Sequence, residues 1–273
     1  MKQFHICTIS NDLNQYQQLK QSLVDTGFTD ERCRYSLFDN SQENFFDPYQ
    51  TINQLKTNTI EPYILYCHQD VLFNRGDGYQ QLMQRVHELN LLDVEWAVAG
   101  NAGTNSKFQF VVRIADDNNS PNWTGKFPQQ VYSLDENFLI IKTQSKAFCS
   151  ANLKGFHFYA PDLCLNAISN GHSCYVINFH LTHLSHTKLT QSFWICKAEF
   201  YNYWSTRFIF CYVKTVTGIT MCFSKYSVLR FCGAIKLVRK MLFLLNRATP
   251  FLQPRSYQSN HDKHHIKTFF IPK

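Results

Sequence analysis

Four short stretches carry side chains able to do chemistry. His68-Gln69-Asp70-Val71 directly follows the apolar run Tyr63-Ile64-Leu65-Tyr66-Cys67. A carboxylate at the end of a buried strand, beside an imidazole, can hold a divalent cation against a diphosphate and so neutralise charge on a departing group. The same aspartate can instead simply cap the loop that follows. In Phe156-His157-Phe158-Tyr159-Ala160-Pro161-Asp162, Pro161 suits the first turn of a helix and Asp162 then lies at that helix's positive end. There Asp162 either serves helix electrostatics alone or faces a cleft and takes a proton from a hydroxyl. His180-Leu181-Thr182-His183-Leu184-Ser185-His186 follows the strand-like Cys174–Ile177. One of its imidazoles can complete a cation site begun by Asp70, or serve an ordinary structural role. Asp135 and Glu136, read as part of a strand from Val131, point to opposite faces, which excludes an acid/base dyad but lets one reach a cleft.

The elements that must position these residues are legible in the first two-thirds of the chain. Residues 4–10 form a short apolar strand, and Asn11 or Asp12 can cap a helix with apolar residues at Leu13, Tyr16, Leu19, Leu23 and Val24. A second strand covers 33–38, and Asp47-Pro48 opens a second helix. Tyr63–Cys67 reads as a strand buried on both faces, Tyr79–Leu89 as a third helix, and Trp96–Ala99 as a fourth strand. This βαβαβαβ order predicts a largely parallel sheet with helices on its faces, and such sheets bind ligands beyond the carboxyl ends of their strands. Ser10-Asn11, Asp39-Asn40, His68-Gln69-Asp70 and Gly100-Asn101 occupy those ends. Turn chemistry explains each alone but explains the set less well.

Composition and motifs narrow the classes. The chain has 273 residues, 44% hydrophobic and 17% charged, enough to bury a substantial core. A secretory leader and a membrane-spanning helix are not expected. The ten cysteines are scattered and read as reduced thiols. Zinc-finger spacing, the P-loop, GxGxxG and the GxSxG elbow do not occur.

Taken together, these segments resemble a bacterial family of glycosyltransferase-A-like domains, related to family 2 glycosyltransferases and to the StrF-type domain of streptomycin biosynthesis. The matching pieces are Phe38-Asp39-Asn40-Ser41, Asn53, Cys67-His68-Gln69-Asp70-Val71, Ala99-Gly100-Asn101-Ala102-Gly103 and Ser133-Leu134-Asp135-Glu136. Gly155-Phe156-His157-Phe158-Tyr159, Asp162-Leu163-Cys164-Leu165 and His180–Ser185 follow in the same order, over about residues 4–188. The resemblance implies the glycosyltransferase A fold: an α/β domain whose mostly parallel central sheet is flanked by helices, here with a helical carboxy-terminal appendage. It implies a nucleotide-diphosphate-sugar donor and transfer with inversion; it does not supply the acceptor, for which a glycan or lipid-linked hydroxyl is expected. The donor site would comprise Ser10, Asn11, Asp39, Asn40, His68, Asp70 and Asn101, with Asp39 on the base or ribose. Asp70 and His183 would ligate a divalent cation, Mn²⁺ or Mg²⁺. His68 stands where the family's metal motif has its first acid. Asp162 would be the catalytic base, and Asp135, Glu136 and His157 would border the acceptor cleft. A catalytically degraded module, acting as a membrane-peripheral partner in glycan assembly, is the alternative.

The last third differs in character. From Arg207 onward the chain carries +11, against −4 for the remainder. Domains are therefore expected at 1–206, the catalytic unit, and 207–273, a basic helical region with a loose tail. Residues 190–206 look helical and aromatic. Between Tyr226 and Arg247, Phe231, Ala234, Ile235, Val238, Met241, Leu242 and Leu245 follow helical spacing, with Lys236, Lys240 and Arg247 opposite. Such a helix either lies in an anionic membrane interface or docks on the domain with a solvated basic face. The expected location is cytoplasmic, peripheral on the inner face of the membrane. An acidic body without a recognition motif speaks against nucleic acid as a partner.

Overall fold

A computed structural model of the chain describes residues 1–115, 121–184 and 189–248. In chain order the elements are β1 (Phe4–Ser10), α1 (Leu13–Asp25), β2 (Cys33–Asp39), α2 (Pro48–Asn58), β3 (Tyr63–Cys67), β4 (Val71–Leu72), α3 (Tyr79–Leu92), β5 (Trp96–Gly100), β6 (Ala102–Thr104), β7 (Phe110–Ala115) and β8 (Pro121–Thr124). They continue as β9 (Gln129–Val131), β10 (Ser133–Leu134), β11 (Phe138–Lys142), α4 (Tyr159–Ser169), β12 (Ser173–Val176), β13 (Leu181–His183), α5 (Gln191–Ser205), β14 (Cys211–Lys214), β15 (Thr220–Phe223), α6 (Ser227–Ala234) and α7 (Lys236–Ala248). Local chemistry sets the helix starts. The Asp12 carboxylate accepts from Asn14 N and Gln15 N to cap α1. Asp47 does the same for Tyr49 N and Gln50 N ahead of α2, with Pro48 in the first turn.

The central sheet runs β2-β1-β3-β11-β5-β12-β9. Strands β2, β1, β3, β5 and β12 point one way, while β11 and β9 oppose them. This is the α/β class expected, a mostly parallel sheet flanked by helices. Period-two alternation divides the sheet's side chains between two cores. Ile64, Tyr66, Val98, Leu139 and Ile141 pack with Ile52 and Leu55 of α2, Leu163 of α4 and Phe200 of α5. Leu65, Cys67, Ala99, Phe138 and Ile140 pack on the other face with Leu19 and Leu23 of α1 and Leu82 and Val86 of α3. Both faces are covered, which explains why β3 and β5 read as unbroken apolar runs.

A second sheet, β10-β6-β7-β13-β4, carries β8 at β7 and lies beyond the carboxyl ends of the first. Gly103 permits its close packing, because a Cβ there would stand 2.6 Å from Ser133 O. Asp135 and Glu136 do not lie in a strand, as the sequence suggested. They occupy the turn between β10 and β11. The reversed direction of β11 brings that turn to the same edge as the ends of β1 and β3.

In the carboxy-terminal third, Phe208, Cys211, Val213, Met221 and Phe223 join the main core alongside Phe200 and Trp204 of α5. The helix expected from 226 to 247 is two helices, broken at Ile235, whose backbone is extended. The inward face keeps Leu242 from the spacing read in the sequence but otherwise differs. Leu242 and Phe243 pack against Phe108, Tyr212 and Cys222, while Met241 and Leu245 are exposed. Asn246 Nδ2 donates to Ser106 O at 2.8 Å, so a polar residue anchors the docked side. Among the described residues no helix is long and apolar enough to cross a membrane. His186 and the tail beyond Ala248 fall outside the described residues.

Candidate active site

A cleft of about 370 Å³ opens at the carboxyl ends of β1, β2 and β3, bounded by Ile9, Asn11, Asn40, Asn44, Pro48, Tyr66, His68, Gln69, Asp70, Phe156, His157 and Tyr159. Gln69 ties two of the strand ends together. Its Oε1 accepts from Ser10 Oγ at 2.7 Å and Asn11 N at 2.8 Å, and its Nε2 donates to Asn11 Oδ1 at 2.7 Å. Ser10 is buried and fixes this junction, whereas Asn11 lines the cleft. Asn40 also lines it, while its amide exchanges hydrogen bonds with Phe46 N and Phe46 O to shape the loop that carries Asn44.

Three ligating groups meet at one side of the cleft. His68 and Asp70 follow β3, while His183 arrives on β13, paired antiparallel with β4 so that His183 stands opposite Val71. Leu184 N donates to Asp70 O at 2.8 Å and extends that register. His183 Nε2 lies 3.4 Å and His68 Nδ1 3.9 Å from Asp70 Oδ1. One ligand atom from each residue falls within 4.8 Å of the others. On the far side of its ring, His68 Nε2 is 2.5 Å from the Tyr159 hydroxyl, whose oxygen is 3.2 Å from Glu136 O. If the tyrosine donates to that carbonyl, His68 donates through Nε2 and its Nδ1 lone pair faces Asp70. This tautomer is assigned from the pattern of partners. Burial lowers the His68 pKa despite Asp70, which keeps the ring neutral. Burial also acts to lower His183, but Asp70 and Asp135 outweigh it and raise the value. Two imidazoles and a carboxylate, with a second partner orienting one ring, fit a borderline divalent ion such as Mn²⁺ better than Mg²⁺.

Of the residues expected at the acceptor side, His157 lines the cleft, while Asp135 and Glu136 line a smaller neighbouring cavity with Phe158, Pro161 and Phe193. Asp135 is close enough to act electrostatically on both histidines, and its Oδ1 accepts from Asn137 N at 3.1 Å. Burial and the Asp135 charge push the Glu136 carboxyl up to about 8, against hydrogen bonds from the Phe158 and Tyr159 backbone. His157 lines the cleft and stacks edge-on with Phe193. Burial lowers its pKa too, leaving a neutral ring at pH 7.

Asp162, Asn101 and Asp39 are placed away from both the cleft lining and the histidine–aspartate cluster. Asp162 is 0% exposed and does not border the cleft. Its Oδ2 accepts from Ser150 N at 2.6 Å and Asn166 Nδ2 at 3.2 Å, and its Oδ1 from Ser150 Oγ and Trp204 Nε1, each at 2.8 Å. Both oxygens are engaged by these donors, and burial pushes the carboxyl up to about 6, so the side chain expected as a base is turned into the core rather than toward the cleft. Asn101 is fully buried in the link from β5 to β6, bonded to the Arg113 backbone. Asp39 is exposed, accepts from Ser41 N at 2.8 Å and is not part of the lining. Tyr159, Gln69 and Asn44 are cleft residues that sequence reasoning did not single out for a role. Tyr159 and Gln69 lie within quoted motifs, but only pairing across 91 and 59 residues reveals their parts.

Fold and site together define a mixed α/β protein with a ligand cleft at parallel strand ends and a histidine–aspartate–histidine cluster on its wall. No family model matches the chain. It is 32% identical over 197 residues to the protein called ATP synthase subunits region ORF 6 of Fuscovulum blasticum, covering 70% of this chain and 78% of that one. The chain belongs to the same family as that protein. Similar solved structures include residues 1–349 of S. aureus TarS in complex with UDP-GlcNAc (12% identity, TM-score 0.46), covering 69% of this chain and 60% of that one. GalNAc-T7 with UDP, GalNAc and Mn²⁺ shows 6% identity and a TM-score of 0.47 over 69% of this chain and 45% of that one. The mannosyltransferase PcManGT of Pyrobaculum calidifontis, with GDP-Man and Mn²⁺, shows 7% identity and 0.44 over 72% and 61%. The chain thus spans less than two thirds of each of these three.

Proposed function

We propose that this chain is a glycosyltransferase of the A type that takes a sugar from a nucleoside-diphosphate donor. The observation that carries the reading is the convergence of His68, Asp70 and His183 beside a cleft at the carboxyl ends of β1, β2 and β3. Asn11 and Asn44 offer amides to the nucleoside, taking over the part expected of Asp39, while Asn40 holds the loop that carries Asn44. His68, Asp70 and His183 would hold a divalent cation, which supplies charge neutralisation for the departing diphosphate. His157 replaces Asp162 as the group that accepts a proton. Its neutral ring removes the proton of an acceptor hydroxyl as the oxygen bonds the anomeric carbon. The bond to the diphosphate breaks on the opposite face, and its electron pair leaves with the nucleoside diphosphate, inverting the centre. Asp135 and Glu136 border the acceptor side. The acceptor is a glycan or a lipid-linked saccharide, and exposed apolar and basic side chains on α6 and α7 support work at the inner face of an anionic membrane.

Calorimetry with uridine or guanosine diphosphate and Mn²⁺ tests the donor site. Wild-type protein should bind in a Mn²⁺-dependent manner, and Asp70→Asn and His183→Ala should each lose at least about tenfold in affinity. No binding, or equal binding in all three, ends this reading. The burial of Asp162 favours a second one, a non-catalytic module of glycan assembly that keeps the cleft. Donor hydrolysis that disappears in His157→Ala would exclude that alternative.

A further inference from the structure

A second cavity, about 350 Å³, lies between α5, the β14–β15 hairpin, α6 and α7, apart from the cleft above. Three cations line it: Lys197 of α5, Arg230 of α6 and Arg239 of α7. Trp194, Tyr201 and Tyr212 form aromatic walls, and the lining contains no aspartate or glutamate. All three cations are half-buried, and among the described residues none is ion-paired with a carboxylate.

The walls are held in place. Arg230 Nη1 donates to Ser224 O at 2.6 Å, which fixes the guanidinium while leaving it further N–H donors. The Tyr212 hydroxyl donates to Gly233 O at 2.8 Å. Gly233 lets α6 sit that close, because a Cβ would stand 2.4 Å from Cys222 Sγ. The Lys197 ammonium is 5.1 Å from the centre of the Trp194 ring. Partly desolvated cations without a counter-charge are costly, and an anion bridging them offsets that cost. Two guanidiniums and an ammonium suit a phosphate group, with the planar forks bonding its oxygens in pairs.

The elements walling this cavity also expose apolar side chains. Trp194 is 47% exposed, Phe231 72%, Leu237 76% and Met241 56%. A soluble anion would leave them in water, whereas a membrane surface buries them and presents phosphates at the same depth. We propose that this cavity binds the phosphate headgroup of an anionic membrane lipid, docking α6 and α7 in the bilayer surface. This deepens the membrane part of the reading above and is independent of the donor site.

The test uses the full chain and no nucleotide, so its failure is separable from failure of the transferase reading. Sedimentation with phosphatidylcholine vesicles, with and without phosphatidylglycerol, is compared for wild type, Lys197→Gln/Arg239→Gln, and Lys236→Gln/Lys240→Gln. The last pair removes equal charge from exposed positions outside the cavity. Wild type should prefer the anionic vesicles, and the cavity variant should lose at least about tenfold more affinity than the control. Lys197→Gln alone, on α5, should shift in the same direction, so the result does not hang on α7 folding. Equal losses in the two double variants, or no preference for anionic vesicles, overturn the proposal. Calorimetry with sn-glycerol 3-phosphate separates the sources. Binding as tight as that to the vesicles would assign the cavity to a soluble phosphate ester and overturn the lipid.

Discussion

At the scale of single residues, neighbours decide what each titratable group can do. Burial, with the charge of the adjacent Asp135, pushes the Glu136 carboxyl up to about 8 from an ordinary 4.5. A carboxyl whose folded-state pKa lies above its unfolded value contributes stability that is fully present below the unfolded value. That contribution is lost as pH rises through the folded value. For Glu136 the window runs from about 4.5 to about 8. The variant Glu136→Gln has no proton to lose there. Its melting temperature relative to wild type should therefore be higher at pH 8.5 than at pH 5. A difference that stays constant or reverses across that range would show that Glu136 ionises freely in the fold.

Elements are joined by a few buried polar clamps. Asp162, in the first turn of α4, gathers Ser150, Asn166 and the Trp204 indole of α5 around one carboxylate. It ties α4 and α5 to the segment that follows β11. Asp162→Ala would leave buried N–H and O–H donors without partners, each worth roughly 1–3 kcal/mol. The expected loss is about 3 kcal/mol or more, read by chemical denaturation. Under conditions where the variant stays folded, nucleotide affinity should hardly change, because the clamp does not touch the cleft. A variant as stable as wild type but inactive would return Asp162 to the catalytic machinery.

Across the whole molecule, the two faces of the central sheet share strands, and the β14–β15 hairpin packs into the same core as α5. Trp204 lies in one face's core and Trp96 in the other's. A core continuous through the sheet should unfold in one step. Tryptophan fluorescence and far-ultraviolet circular dichroism should give coincident denaturation midpoints. Two separated transitions would instead mark the region after residue 206 as an independently folding unit.

The amino-acid sequence by itself determined the α/β class, the alternation of elements through β5 and the cap residues. It also offered Asp70 and His183 as candidate ligands of one cation, and the structure brings these two residues together with His68. These follow from periodicity, from local capping chemistry and from polar residues placed just after apolar runs, all encoded within a few positions. Only the tertiary structure decided that Asp162 is sealed under Trp204, that Asn101 serves a strand junction, and that Asp39 stays outside the cleft. Leu242 was legible on the apolar face of its helix, but only the structure decided that Phe243 joins it against the core while Met241 and Leu245 stay exposed. The reason is physical: what a side chain can do depends on which distant surface covers it. Pairings such as β4 with β13, or His68 with Tyr159, leave no trace in the local spacing of either partner.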